Sequence, residues 1–285
     1  MTDRKLRILT VSAHPHDFTW FSGTLGKHVE QGDEATVCVV THGGSTHRED
    51  WMEELRKPVS ERDASVVNAS AERYIQQKED ELRNAAAIFG VTDIRMLNFP
   101  DKPFLISEHP EVIDRIAELI LEVRPHVMLT ESPFSDCGRP MVHRSDHTEV
   151  GIAAAEAKLR AELPRPGSTA QPHQVAMTFW PGLVFDLSQL DLVVELSDEW
   201  FEKRVQAEAC FETQGHDERW ARHRMLLELG VMGNHARTAY GEGFVREKLE
   251  LNSHLPVPEV MIRQAEIGDT QNARRMLRLD DATTT

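Results

Sequence analysis

Residues 6–18 read LRILTVSAHPHDF, and residues 34–42 read EATVCVVTH. LRILTVSAH (6–14) and EATVCVVTH (34–42) are both rich in β-branched and aliphatic side chains, the composition of a buried strand. Between them SGTLGKHVEQGDE carries Gly32 as a helix stop. A strand, a short helix and a second strand make a βαβ unit, which implies a parallel sheet and a right-handed crossover. The first strand also ends abruptly, because His14, Pro15, His16 and Asp17 follow at once. A packed strand has no use for such side chains, so the strand end reads as a site.

The alternation continues along the chain. Segment 43–70 is polar and irregular, and reads as a functional loop or lid. AERYIQQKEDELRNAAAIFG (71–90) spaces Tyr74, Leu82, Ala85, Ala86 and Phe89 helically and stops at Gly90. A third strand is expected at 93–99, an amphipathic helix up to Pro125, a fourth strand at 126–132 and a helix at 145–163. Residues 164–174 read as a linker. VAMTFWP (175–181) and LDLVVELS (190–197) read as strands. Helices are expected near 198–213 and 217–230, then a polar loop into ARTAYGEGFVRE (236–247) and a frayed tail. The pattern predicts an α/β fold: a Rossmann-like three-layer α/β/α domain with a mostly parallel sheet, spanning 1–285 with a C-terminal helical extension from about 198.

Composition excludes several function classes. The 285 residues are 40% hydrophobic and 28% charged, with a net charge of -15. An acidic chain repels polyphosphates and anionic bilayers, so nucleic acid and membrane are poor partners. The N-terminus reads as a strand, not a signal peptide, and no run approaches the roughly 20 apolar residues that span a bilayer. Cys38, Cys137 and Cys210 are odd in number and widely spaced, which fits reduced thiols. These features fit a cytoplasmic protein acting on a small molecule, with homo-oligomerisation expected.

In doubly wound sheets the site lies outside the carboxyl ends of the strands. His14, Asp17, His42, Asp101 and the loop 131–147 all follow strands and converge on that edge. Catalytic zinc commonly takes three protein ligands from His and Asp and leaves a place for water. The first strand exit offers His14, His16 and Asp17. The loop after the fourth strand offers His143, Asp146 and His147. His42 and His47 flank GGST in the loop after the second strand. Arg48, Arg56, Lys57, Arg62 and Arg144 are candidates for an anionic substrate, and Glu242 is a candidate to line the site.

The stretches ILTVSAHPHDFTWFSGTL, SDHTEVGIAAAEA and DELRNAAAIFGV followed by LNFPD resemble motifs of the PIG-L/LmbE family of zinc-dependent deacetylases. That resemblance runs over most of residues 6–247. It implies a Rossmann-like fold, one zinc per chain on His14, Asp17 and His147, and hydrolysis of an N-acyl amide. It also implies a base and a histidine acid, and here the chain departs from the pattern. His16 stands where the family has its base Asp, and Phe18 where it has Glu. Arg144 replaces a histidine, with His143 one place earlier. The expected catalytic residues are therefore His16, Asp146 and His143, and the expected substrate contacts are Arg144, His42, Arg48 and Glu242. VSAHPHDFTW, LRKPVSERD and GHDERW with ARTAYGEGF are similar to the 4-oxalomesaconate hydratase branch of the family. Hydration of an unsaturated oxo-dicarboxylic acid is thus the alternative to hydrolysis, and ligand binding without turnover is a third.

Overall fold

The computed structural model describes residues 4–45, 48–101, 105–134, 145–164 and 170–279. β1 (Arg7–Ser12) and β2 (Glu34–Thr41) pair in parallel through α1 (Ser22–Glu30), and the register sets Val11 opposite Cys38. From Ile8 onward β1 is wholly buried. Strands covered on both faces read as unbroken apolar runs, and for that reason the unit is visible in the sequence.

Five further strands complete the sheet: β3 (Asp93–Phe99), β4 (Val127–Thr130), β5 (Met177–Pro181), β6 (Leu192–Leu196) and β7 (Tyr240–Arg246). Their order is β3-β2-β1-β4-β5-β7-β6. Only β7 runs antiparallel, pairing with both β5 and β6. The sheet is mostly parallel, as expected.

Helices lie on both faces. On one, α1, α4 (Ala71–Ile88), α8 (Asp198–Ala209) and α9 (Glu218–His235) build a core around Phe18, Leu25, Phe89, Trp200 and Phe244. On the other, α6 (Glu111–Val123) and α7 (Asp146–Glu162) pack Ile116, Ile120, Ala153 and Ala157 under β1 and β4. The short α5 (Leu105–Glu108) contributes Leu105 to that second core. Ser70, Ser145, Ser197 and Asp217 cap α4, α7, α8 and α9 by accepting backbone N–H bonds.

Two segments differ from expectation. The 43–70 stretch is not irregular: it holds α2 (Glu49–Arg56), a 3-10 turn (Val59–Glu61) and α3 (Ala64–Val67). Pieces this short carry no readable helical period. They are organised by the buried Glu54 carboxylate, which accepts from Lys57 Nζ at 2.7 Å and Asp63 N at 2.6 Å. The second difference is β7, which lies in the stretch 236–247 to which the sequence reading assigns no element. Its Gly241 and Gly243 weaken a strand signal. They are required by close packing: a Cβ at Gly241 would lie 2.4 Å from Val193 Cγ1, and one at Gly243 2.8 Å from Met232 Sδ. β7 inserts between β5 and β6, so the chain returns to the sheet after α8 and α9. The last two helices are α10 (Glu259–Ile267) and α11 (Asp269–Met276).

Gly151 of α7 sets the helix against the chain leaving β4. A Cβ there would stand 2.5 Å from the Ser132 carbonyl carbon and 2.6 Å from Pro133 N. Gly151→Ala should therefore destabilise by about 1–3 kcal/mol, the usual cost of overpacking. Denaturant unfolding checks this, and a change below about 0.5 kcal/mol would mean that the contact relaxes freely.

Candidate metal centre

β1 lies between β2 and β4, where the strand order reverses. Such a switch point opens a crevice beyond the carboxyl ends of its strands. His14 leaves β1 in extended conformation, and Pro15 then starts a 3-10 turn to Phe21. Asp17 folds back so that its Oδ2 accepts from His14 N at 2.7 Å, and the same oxygen lies 3.2 Å from His14 Nδ1. From the β4 side, Ser145 caps α7 and puts Asp146 and His147 in its first turn. Asp146 Oδ2 meets His14 Nε2 at 2.8 Å. His147 Nδ1 lies 3.6 Å from both Asp17 Oδ2 and Glu131 Oε1. Glu131, the first residue past β4, also accepts from Ala13 N at 3.1 Å. Trp20 stacks on the His147 ring at 5.3 Å.

Charge is concentrated here. Burial opposes protonation of His14, but Asp17 and Asp146 outweigh it and raise the imidazole to about 9. Burial likewise opposes a charge on His147, yet Asp17, Glu131 and Asp146 raise it to about 10. Asp17 is held well below the usual carboxylate range by His147 and His14, against its burial. Burial pushes Glu131 upward, with His147 only partly offsetting it.

The same donor set fits a divalent ion. The donor atoms of His14, Asp146 and His147 lie within 4.8 Å of one another, as do those of Asp17, Glu131 and His147. His147 Nδ1 is buried without a hydrogen-bond partner. Imidazole nitrogen and carboxylate oxygen are ordinary ligands of catalytic divalent metals.

The structure thus gathers His14, Asp17, Asp146 and His147. It seats the other expected residues differently. His16 points its Nε2 at Glu208 Oε1 of α8 at 2.8 Å, in a buried group with His216. Glu242 is not brought to the centre: it accepts from Gly23 N and Thr24 N at 2.9 and 2.7 Å and pairs with buried Arg204 at 3.1 Å. It anchors α1 to β7. Arg48 packs over the Trp51 and Tyr74 rings. His42 accepts from Gly44 N at 3.0 Å, lies 3.4 Å from Asp101 Oδ1, and is lowered by burial. His143, Arg144, His47 and Cys137 lie outside the described residues. The sequence reading missed Glu131, Trp20, Lys78 and the Glu208–His216 pair. Glu131 had one usable signal, an acid directly after an apolar strand. Lys78 sits mid-helix, fully buried, and burial brings it down to about 8 although Asp101 and Asp17 pull upward.

The span that holds these four residues, 9–158, matches the PIG-L family, described as GlcNAc-PI de-N-acetylase. The chain belongs to the PIG-L family. Among curated relatives, a 1D-myo-inositol 2-acetamido-2-deoxy-alpha-D-glucopyranoside deacetylase of Thermomonospora curvata is 31% identical over 59% of this chain and 57% of its own length. The enzyme of the same name from Rhodococcus erythropolis is 26% identical over 63% and 62%. The chain thus spans about three fifths of these relatives. The fold is similar to that of N,N'-diacetylchitobiose deacetylase from Pyrococcus horikoshii, with TM-score 0.67 and 19% identity over 84% of this chain and 82% of that one. It is equally similar to GalB, the 4-carboxy-2-hydroxymuconate hydratase of Pseudomonas putida, with TM-score 0.67 and 18% identity over 87% and 99%. PIG-L deacetylases are generally metal-dependent, and the clustered donors here agree. Among the described residues, no helix is long and apolar enough to cross a membrane.

A metal entering this PIG-L site must displace protons from His14 and His147. Affinity of the metal-free protein for a divalent ion should therefore rise steeply from pH 6 to about 9, with proton release, as read by competition with a chromophoric chelator. A flat profile would contradict the raised imidazoles. The metal-free fold should show the linked effect. Stability from these two histidines is fully present below their ordinary 6.5 and is lost as pH rises through about 9 to 10.

Proposed function

We propose that this chain is a zinc-dependent hydrolase that cleaves an N-acyl amide bond of a small molecule, with His14, Asp17 and His147 holding one ion. The observation that carries this reading is the convergence of those three side chains, from two separate strand ends, on one switch point. One zinc ion bound there would lower the pKa of a water toward about 7 and polarise the acyl carbonyl.

The rest falls to the chain's own groups. Asp146 and Glu131 supply carboxylates around the histidines, so a ligand imidazole can offer one nitrogen to the ion and keep the other on a carboxylate. That contact fixes ring orientation and tautomer. Trp20 closes one side of His147 and excludes water. Glu208 is held well below the ordinary carboxylate range, against its burial, by His16, His216 and Arg224. It can only accept, so His16 carries its hydrogen on Nε2. Nδ1 is then the nitrogen left to take a proton from the attacking water.

A second reading, hydration of an unsaturated oxo-dicarboxylic acid, is favoured by one observation. Lys78, buried with Asp101, Asp17 and Glu81 as its charged neighbours, puts a positive charge near the centre of an acidic protein. Neutral N-acetyl sugars need no such charge, whereas a dicarboxylate does.

Purified protein assayed against N-acetyl amino sugars and oxo-dicarboxylic enols separates the readings, and turnover of neither supports ligand binding alone. Elemental analysis should find about one zinc per chain, and His147→Ala should lose both ion and turnover. His16→Ala should keep the ion and lose about 10²–10⁴-fold in kcat, the usual worth of general base catalysis. Near-normal kcat in that variant would pass the role to Glu131 or Asp146, which Glu131→Gln and Asp146→Asn would then identify.

A further inference from the structure

After β7 the chain runs without helix or strand from residue 247 to 258, then forms α10 and α11. This arm is built inside out. Leu249, Leu251 and Leu255 are 91%, 97% and 92% exposed, and Val257 and Met261 are 64% and 55% exposed. Helix α10 buries no residue at all. What ties α10 and α11 down is polar: Gln264 Nε2 donates to Ala236 O and Arg237 O at 3.1 and 3.0 Å, and Asn272 Nδ2 to Gln264 O at 2.7 Å.

Beside the arm's root lies an apolar groove of about 350 Å³. Ile8, Leu129, Phe179, Leu192 and Phe244 line it from β1, β4, β5, β6 and β7, with Thr24 and His28 of α1 beside them. Glu250 stands at its mouth. Neighbours along an extended chain point to opposite sides. The arm therefore holds a carboxylate toward the apolar groove and its leucines toward water. A slip of one residue would reverse this in a monomer, and the sequence does not take it.

We propose that this face is an interface between two copies of the chain, with Leu249, Leu251 and Leu255 of one copy entering the sheet groove of the other. Each copy holds both halves of the contact, so it closes reciprocally about a twofold axis. The area suffices: the three leucines with Val257 and Met261, at roughly 100 Å² each, bury about 500 Å² per arm and about 1,000 Å² for the two arms, before the groove walls are counted. Pro256 and Pro258 lack an N–H, which disfavours strand pairing along that part of the arm and leaves side-chain insertion. An anionic bilayer is the wrong occupant for a chain of net charge -15. This inference is independent of the reaction proposed above.

Sedimentation of the full chain at micromolar concentration tests it. Wild type should run as a dimer or a multiple of one. The double variant Leu251→Asp, Leu255→Asp should run as a monomer with unchanged far-UV circular dichroism, because those side chains support nothing within their own chain. A second measurement addresses the groove. In a background with Cys137 and Cys210 as serine, Leu251→Cys protein mixed with Met177→Cys protein should oxidise to a mixed two-chain species. A monomeric wild type, or an assembly that survives the double aspartate variant, overturns the proposal. Absence of the mixed disulfide in an assembly that the double variant does dissociate overturns the groove as acceptor.

Discussion

The carboxylate of Asp17 holds the centre together. It is 4% exposed and carries its charge in a place where an unpaired one would cost several kcal/mol. Three groups make that charge tolerable: the His14 backbone N–H, the His14 ring and the His147 ring. The first lies just past β1 and the last in α7, so Asp17 binds the exits of two strands into one unit. Everything that places α7, including the Ser145 cap and the Gly151 contact with the chain after β4, serves that juxtaposition.

The surplus of acids over what two imidazoliums need is informative. Asp17, Glu131 and Asp146 face His14 and His147, and all are wholly or largely buried. An ion pair cluster built for stability alone is commonly replaceable by apolar packing without loss. A cluster with three carboxylates and two imidazoles at a switch point makes better sense as a cation site whose protons stand in for the ion when it is absent. The raised histidines and the depressed Asp17 are two sides of that one arrangement.

Much of this was legible because it is local. The βαβ start and the ligand types after each strand need only short windows of sequence, and buried parallel strands announce themselves as apolar runs. What was not legible depends on distance. β7 hides behind glycines whose reason lies in Val193 and Met232 on other elements. Glu242 looked like a site residue because it sits among glycines near an aromatic, but its partners are 218 and 219 residues away at the start of α1. The direction of His16 depends on Glu208, 192 residues on. No periodicity carries such information.

His14 and His16 are two residues apart and would share a side of an extended strand. Pro15 begins a 3-10 turn instead, so their side chains part. His14 faces α7, and His16 meets Glu208 of α8, which His216 and Arg224 also contact. All three of those partners lie beyond residue 158, outside the span that matches the family. His16 therefore draws its support from elements outside that span. A buried imidazole there needs an acceptor, and the buried Glu208 carboxylate needs donors, so loss of Glu208 would leave His16 Nε2 buried without its partner. α8 is what holds the His16 ring beside the strand exit that carries His14 and Asp17.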